Sequence, residues 1–207
     1  MLHELDLRLF HDLYGPGRSG VLTTMIVLTL IGSGWSMLAL FPLYCIRRTR
    51  GFAVSTTALL LVTSAVVFLL KRAVHRLRPC VSIEGVRSLW GAPTDYSFPS
   101  GHTTGSFAFA AFVLTLATYS TRIQRQSRMV ASVVLLMLAF GVALSRVYLG
   151  VHFPSDVIGS AILGSVLGVV GGRVCRSRWS GANVVNPCDE RTVTGDDAPR
   201  ASISRIG

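Results

Sequence analysis

An all-α fold, a multi-pass transmembrane helical bundle with an N-terminal interfacial amphipathic helix, is the class that this 207-residue sequence predicts. Three observations carry that expectation. Half of the chain is hydrophobic and only 14% is charged, against about 25% in ordinary soluble domains. Mean hydropathy is +0.53. The scarce charge is concentrated outside five long apolar stretches, which is how a membrane-crossing chain distributes its polarity. The same balance excludes an ordinary soluble globule and, outside the C-terminal tail, a disordered chain. The formal net charge of +10 raises nucleic acid as a partner. The basic residues, however, sit in short clusters between apolar stretches rather than along one exposed face, so no nucleic-acid partner is expected.

Residues 1–20 form an N-terminal segment in which Leu2, Leu5, Leu9 and Leu13 recur at helical spacing, with Glu4, Asp6, Arg8 and Asp12 largely on other faces. This pattern predicts a helix lying in the headgroup layer. Its mixed, acidic start differs from the basic opening of a secretory leader, so the segment is expected to be retained. Residues 21–176 form the transmembrane domain, with spans predicted at 21–45, 52–70, 103–119, 129–144 and 157–170. Each is near the roughly 20 residues that a helix needs to cross the hydrocarbon. The last three reach that length only when their polar ends are counted in the helix. Gly32, Ser33 and Gly34 interrupt the first, which is therefore either one kinked helix or a half-helix followed by another. Gly164, Gly168 and Gly172 mark a face of the last helix for close packing, within the chain or in a homodimer. Residues 177–207, rich in Ser, Gly, Asp and Arg, predict a disordered cytoplasmic tail.

Arg47, Arg48 and Arg50, then Arg122, Arg125 and Arg128, then Arg173, Arg176 and Arg178 fall in alternate loops, and the positive-inside rule makes their side cytoplasmic. Segments 71–102 and 146–156 then share the opposite side. Cys45, Cys175 and Cys188 lie on the reducing side of this topology and Cys80 stands alone on the other, so neither a disulfide framework nor a metal cluster is suggested. Segment 80–97 is expected to cap the outer face, with Trp90 and Tyr96 as interfacial aromatics.

Three polar clusters on that face have no explanation in membrane physics alone. In the first, Lys71 is the only lysine among twenty basic residues; it is either a compact point charge on a flexible stem or a snorkelling interface residue. Pro79 forces the chain out of helix near Arg78. In the second, Pro99, Ser100, Gly101 and His102 open a helix whose first amides point outward as donors suited to an anion, unless the histidine only caps it. In the third, Ser145 and Arg146 end a span, Gly150 permits a turn, and Pro154 suits the first turn of the next helix. His152 then stands at a helix entrance with Asp156 four residues on. A carboxylate at the membrane boundary is costly unless a histidine or arginine pairs with it. Together the clusters supply three cations, a helix N-terminus, two histidines and a carboxylate, a set suited to a phosphate oxyanion. Arginine offers planar bidentate donors and lysine a point charge. A histidine held by a carboxylate can act as nucleophile, and a second histidine can protonate the departing oxygen.

The pattern Lys-x6-Arg-Pro from Lys71, Pro-Ser-Gly-His from Pro99 and Ser-Arg-x5-His-x3-Asp from Ser145 resembles, at every position, the three-part signature of the type 2 phosphatidic acid phosphatase (PAP2) superfamily. The resemblance implies a helical-bundle phosphatase of a membrane lipid phosphate that needs no metal and no cofactor, in the plasma (inner) membrane with its site at the outer face. Lys71, Arg78 and Arg146 would hold phosphate, assisted by the backbone near Ser100 and Gly101. His152 would form a phosphohistidine oriented by Asp156, and His102 would protonate the leaving group and later help to activate water. The short amphipathic start, small size and absence of an inserted soluble domain look most like the compact bacterial undecaprenyl pyrophosphate phosphatases of the bacitracin-resistance type. That similarity implies conversion of undecaprenyl pyrophosphate to undecaprenyl phosphate. Two features depart from it: no full span precedes residue 21, and Gly101 stands where some members carry Asp. Phosphatases of phosphatidic acid or phosphatidylglycerol phosphate are the competing expectation. Vanadate-dependent haloperoxidases share these residues but are soluble, which the apolar spans oppose. A non-catalytic lipid-phosphate binder is opposed by the complete signature.

Overall fold

A computed structural model describes residues 2–16, 19–34, 41–91, 93–120 and 123–181. Eight helices run through those described residues: α1 (Leu2–Leu13), α2 (Ser19–Ile31), α3 (Phe41–Cys45), α4 (Arg47–Val74), α5 (Pro79–Ser82), α6 (Gly101–Tyr119), α7 (Arg125–Tyr148) and α8 (Pro154–Gly181). Helices α4, α7 and α8 are long and apolar enough to cross a membrane, and each overruns the apolar stretch predicted for it. Helix α6 has 19 residues, about 28 Å at the usual rise, but opens on the polar run Gly-His-Thr-Thr-Gly-Ser. The first expected span, 21–45, is not one helix. Helix α2 stops at Ile31, where Ser33 turns its hydroxyl back onto the Leu30 carbonyl at 2.6 Å, and residues 35–40 lie outside the described residues. Three of the five expected spans therefore qualify by their own length and composition. The part of the expected tail beyond residue 181, with Cys188, also lies outside the described residues.

The tightest seam joins α8 to α6. A Cβ on Gly164 would overlap the Thr104 carbonyl, and one on Gly168 would overlap the Ala108 carbonyl, so the two backbones touch where the glycines lie. Helix α6 of the same chain thus fills the small-residue stripe, and that stripe offers no face to a second copy. Leu59, Ala108, Phe112 and Leu116 form the buried cluster beside it. Outward, Leu61, Leu69, Met137, Ile162 and Val174 are exposed, as suits side chains that meet lipid rather than water.

The four helix ends that carry the signature clusters, the C-termini of α4 and α7 and the N-termini of α6 and α8, gather at one end of the bundle. The arginines at the other ends of these helices lie away from it, and the Arg176 guanidinium sits 4.7 Å from the Tyr119 ring centroid there. Helix α1 is amphipathic as expected, but its orientation is informative. Leu5, Leu9 and Leu13 face outward, while Asp6 and Phe10 are buried. Phe10 packs with Val147, Phe153 and Val157, which docks the N-terminal segment on the end of the bundle that holds the signature residues.

Candidate active site

Helix α4 ends at Val74 rather than near Arg78, because His75 takes a left-handed conformation (φ 54°) and caps it. Lys71 sits on the last full turn, donates to the Tyr96 carbonyl, and pairs with Asp95 Oδ2 at 3.0 Å. Arg78 is extended (φ −82°, ψ 153°), as a residue before proline must be. Its fork is used on every side: Nε donates to the Asp95 carbonyl (2.8 Å), Nη2 to Asp95 Oδ1 (2.5 Å), and Nη1 to both the Val151 carbonyl (2.8 Å) and His152 Nε2 (3.1 Å).

At the start of α6 the two expected backbone contributors separate. The buried Ser100 gives its amide to Ser160 Oγ at 2.7 Å and so fixes α6 to α8, whereas Gly101 lines the cavity beside His102. At the end of α7, Arg146 Nη1 donates to Thr29 Oγ1 at 3.0 Å, and Thr29 is itself 2.9 Å from Ser145 Oγ. Arg146 Nε is buried without a partner among the described residues. A buried guanidinium N–H left unpaired is costly, and an incoming oxyanion would satisfy it.

The turn between α7 and α8 requires Gly150. Its φ is +77°, and a Cβ there would stand 2.9 Å from the Arg87 carbonyl and from the Tyr14 ring. This tight turn delivers His152, whose Nδ1 lies 3.4 Å from Ser97 Oγ and 3.8 Å from Asp156 Oδ2. Because a guanidinium can only donate, Nε2 must be the acceptor and Nδ1 must carry the proton in the neutral ring. The lone pair of Nε2 is thereby turned toward Arg78. Burial pulls His152 well below the usual imidazole range, to about 3, with Asp156 opposing and Arg78 and Arg146 adding to the depression. The ring is neutral at physiological pH. Asp156, fully buried, is held by the Ser97 hydroxyl, by the Phe153 amide (3.0 Å) and by Arg76 Nη1 (2.6 Å).

Lys71, Arg78, Asp95, His102, Arg146 and His152 line a single cavity of about 420 Å³. The two histidines therefore open into the same space. A second, largely apolar cavity of about 340 Å³ adjoins it, sharing Gly101 and Gly105 and running between Phe109, Leu135, Leu138 and Val142. Tyr96 lies edge-on to His75 at 4.6 Å, and its carbonyl rather than its ring serves the site. Trp90 is exposed.

Several site residues escaped the sequence. Asp95 engages two of the cations from the capping segment, where nothing distinguishes one loop carboxylate from another. Arg76 stood inside the first cluster as one basic residue of several. Ser97, Thr29 and Asp6 reach the site only through the fold, over separations of 59 to Asp156, 117 to Arg146 and 70 to Arg76.

A helical bundle whose polar residues gather as cations and histidines around one cavity at the helix ends, with an apolar cavity adjoining, defines a membrane-type bundle with a site suited to an oxyanion. Comparison with known proteins gives the family: the model of the PAP2 superfamily matches residues 52–178, and the chain belongs to that superfamily. It is 33% identical over 156 residues to decaprenylphosphoryl-5-phosphoribose phosphatase of Mycobacterium tuberculosis, covering 74% of this chain and 80% of that protein. It is 30% identical over 119 residues to an undecaprenyl-diphosphatase of Sulfolobus acidocaldarius, covering 58% of this chain and 53% of the relative. The crystal structure of a transmembrane PAP2-type phosphatidylglycerolphosphate phosphatase from Bacillus subtilis superposes with a TM-score of 0.72 over 85% of this chain and 87% of that one. At 20% identity that likeness bears on the fold alone.

Proposed function

We propose that this chain is a lipid phosphatase of the plasma membrane that removes phosphate from a polyprenyl lipid through a phosphohistidine, with no metal or cofactor taking part. The observation that carries the proposal is the shared cavity, in which Arg78 meets Nε2 of a neutral His152 while Lys71, Arg146 and His102 line the same space. Lys71, Arg78 and Arg146 hold the phosphoryl oxygens, the unpaired Nε of Arg146 gaining a partner, and the backbone at Gly101 assists. Ser100 serves by setting the start of α6. His152 Nε2 attacks phosphorus, and the bond from phosphorus to the leaving oxygen breaks as His102, which takes up a proton along with the bound phosphate and so enters the step as the imidazolium, gives that oxygen its proton. His102 then takes a proton from water, whose oxygen attacks the phosphohistidine and frees inorganic phosphate and the imidazole. Asp156 and Ser97 hold the Nδ1–H edge of His152 throughout.

The adjoining apolar cavity suits a hydrocarbon tail entering from the membrane. The similarity to a phosphatase of a decaprenyl-linked phosphoribose, over most of both chains, favours a phosphomonoester on a polyprenyl carrier. Undecaprenyl pyrophosphate is the second candidate, favoured by the compact architecture and by the undecaprenyl-diphosphatase relative. Purified protein in detergent with a chelator should release phosphate from one of these and far less from phosphatidic acid or phosphatidylglycerol phosphate. His152→Ala should abolish release; full activity in that variant refutes the mechanism. The cavity end is proposed to face outward and the arginine-rich end the cytoplasm. A membrane-impermeant thiol reagent on intact cells should therefore label Cys80 and spare Cys45, and the reverse pattern inverts the topology.

A further inference from the structure

Arg76 belongs neither to the phosphate cradle nor to the histidine pair, yet it is held on both edges. Its Nη1 donates to Asp156 Oδ1 at 2.6 Å and to Ser155 Oγ at 2.7 Å, and its Nη2 to Asp6 Oδ2 at 2.6 Å. Its guanidinium also lies 4.5 Å from the Phe153 ring centroid. Asp6 accepts in addition from the Ser155 amide (2.8 Å) and the Ser155 hydroxyl (2.6 Å) at the start of α8. A surface carboxylate of a headgroup-layer helix would be solvated; this one is buried and has three donors. One turn further along α1, Phe10 is fully buried beside Phe153, the residue after His152. Asp6 stands outside residues 52–178, which the family model matches.

We infer that Asp6 is a positioning residue for the reaction, holding Arg76 so that Asp156 keeps the orientation and charge with which it supports His152. This inference rests on the phosphatase mechanism proposed for the site. An arginine that met only Asp156 would be free to swing and would draw the carboxylate away from the imidazole. With Asp6 on the other edge the fork is fixed, and Asp6, Arg76 and Asp156 together carry one net negative charge instead of none. Oδ1 of Asp156 is then committed to Arg76 while Oδ2 remains for Ser97, the Phe153 amide and His152. Asp6 does not line the phosphate cavity, so its removal should leave oxyanion binding intact. The helix that carries it exposes Leu5, Leu9 and Leu13, so the clamp is built on an element whose outer face is apolar.

The test uses the full chain in detergent, with initial rates on the panel of lipid phosphates and inhibition by orthovanadate. Asp6→Asn and Arg76→Gln should each lower kcat by about ten- to a hundredfold, the range that loss of an outer partner costs at metal-bound histidines, with KM and the vanadate inhibition constant within about twofold of wild type. Asp6→Glu should recover most of the loss. The double variant Asp6→Asn/Arg76→Gln should be no slower than Arg76→Gln alone, because Asp6 acts through Arg76. Wild-type kcat in Asp6→Asn, a rise in KM instead of a fall in kcat, or losses that multiply in the double variant would overturn the inference and leave the phosphatase mechanism standing. A wild-type protein that releases phosphate from none of the lipids overturns both. Should Asp6→Asn fail to fold, Arg76→Lys, which keeps the charge and loses the fork, must show the same split, and wild-type kinetics there count against the clamp.

Discussion

Two of the three cations that face the cavity are engaged by a single carboxylate, Asp95, through Oδ1 to Arg78 at 2.5 Å and Oδ2 to Lys71 at 3.0 Å. Under the proposed mechanism a phosphate that binds Lys71 and Arg78 must displace those oxygens, so Asp95 would compete with substrate. Its side chain is 56% exposed, which places both pairs among solvent-screened ion pairs worth about 0.2–1 kcal/mol each. Taking about 0.5 kcal/mol for each gives about 1 kcal/mol of competition, or a factor of about five in anion affinity. Asp95→Asn removes the charge at nearly constant shape. The Asp95 main-chain carbonyl, which accepts from Arg78 Nε at 2.8 Å, is retained, so Arg78 stays anchored. The expected result is a fall of about fivefold in both KM and the orthovanadate inhibition constant. The product phosphate is also held more tightly, so kcat should be unchanged or reduced. The assay is phosphate release in mixed micelles with vanadate titration, repeated at high salt, where the difference between variant and wild type should shrink. A vanadate inhibition constant that rises severalfold in Asp95→Asn would refute the competition and make Asp95 a support for the two cations.

The same carboxylate should leave a signature in stability. Burial pushes the Asp95 carboxyl up, but its bonds to Lys71 and Arg78 outweigh that and hold it at about 2, below the ordinary 3.8. Its contribution is therefore present above pH 3.8 and lost as the pH falls toward about 2. The gap in unfolding midpoint between wild type and Asp95→Asn in detergent should close across that interval; a gap that widens contradicts the ion pairs. At the helix seam, a side chain on Gly168 would meet the Ala108 carbonyl, with Ala111 Cβ at 2.8 Å and the Phe112 amide nitrogen at 2.9 Å. Since backbone cannot yield as a side chain can, Gly168→Leu should cost about 3 kcal/mol; an unchanged midpoint in thermal unfolding would mean that α6 and α8 do not touch there.

The long helices were legible because apolar runs of that length have few other uses, and α4, α7 and α8 follow them. The break in the first stretch was legible in Gly32, Ser33 and Gly34, but whether it bends or ends a helix depends on neighbours that hydropathy does not report. The site was legible where local chemistry is unusual: a lone lysine, a histidine at a helix start, a carboxylate at a membrane boundary. It was illegible where a common residue becomes special through a distant partner. Asp6 reads as one of several polar residues of an amphipathic helix, and only the fold brings Arg76 to it. Ser100 shows the converse case. Its place in the signature suggested an amide for phosphate, whereas Ser160, 60 residues away, accepts from that amide and turns the serine into a joint between helices.

Side-chain exposure separates the carboxylates around the site into different tasks. Lys71, Arg76, Arg78 and Arg146 face Asp6, Asp95 and Asp156, so the resting site is close to neutral, which a boundary between water and hydrocarbon demands. Asp156 is 0% exposed and Asp6 8%, each held by several donors, whereas Asp95 is 56% exposed. When a phosphate enters, charge balance requires a carboxylate to give way, and only Asp95 can move into water without leaving a buried charge behind. Under the proposed mechanism a phosphate would replace it on Lys71 and Arg78 and add Arg146, while Arg76 remains with Asp6 and Asp156. The division leaves Arg76 for the carboxylate beside the histidine and, under the proposed mechanism, three cations for the substrate. A rearrangement at the Asp95 end can therefore proceed while the Nδ1 edge of the imidazole keeps its partners Ser97 and Asp156.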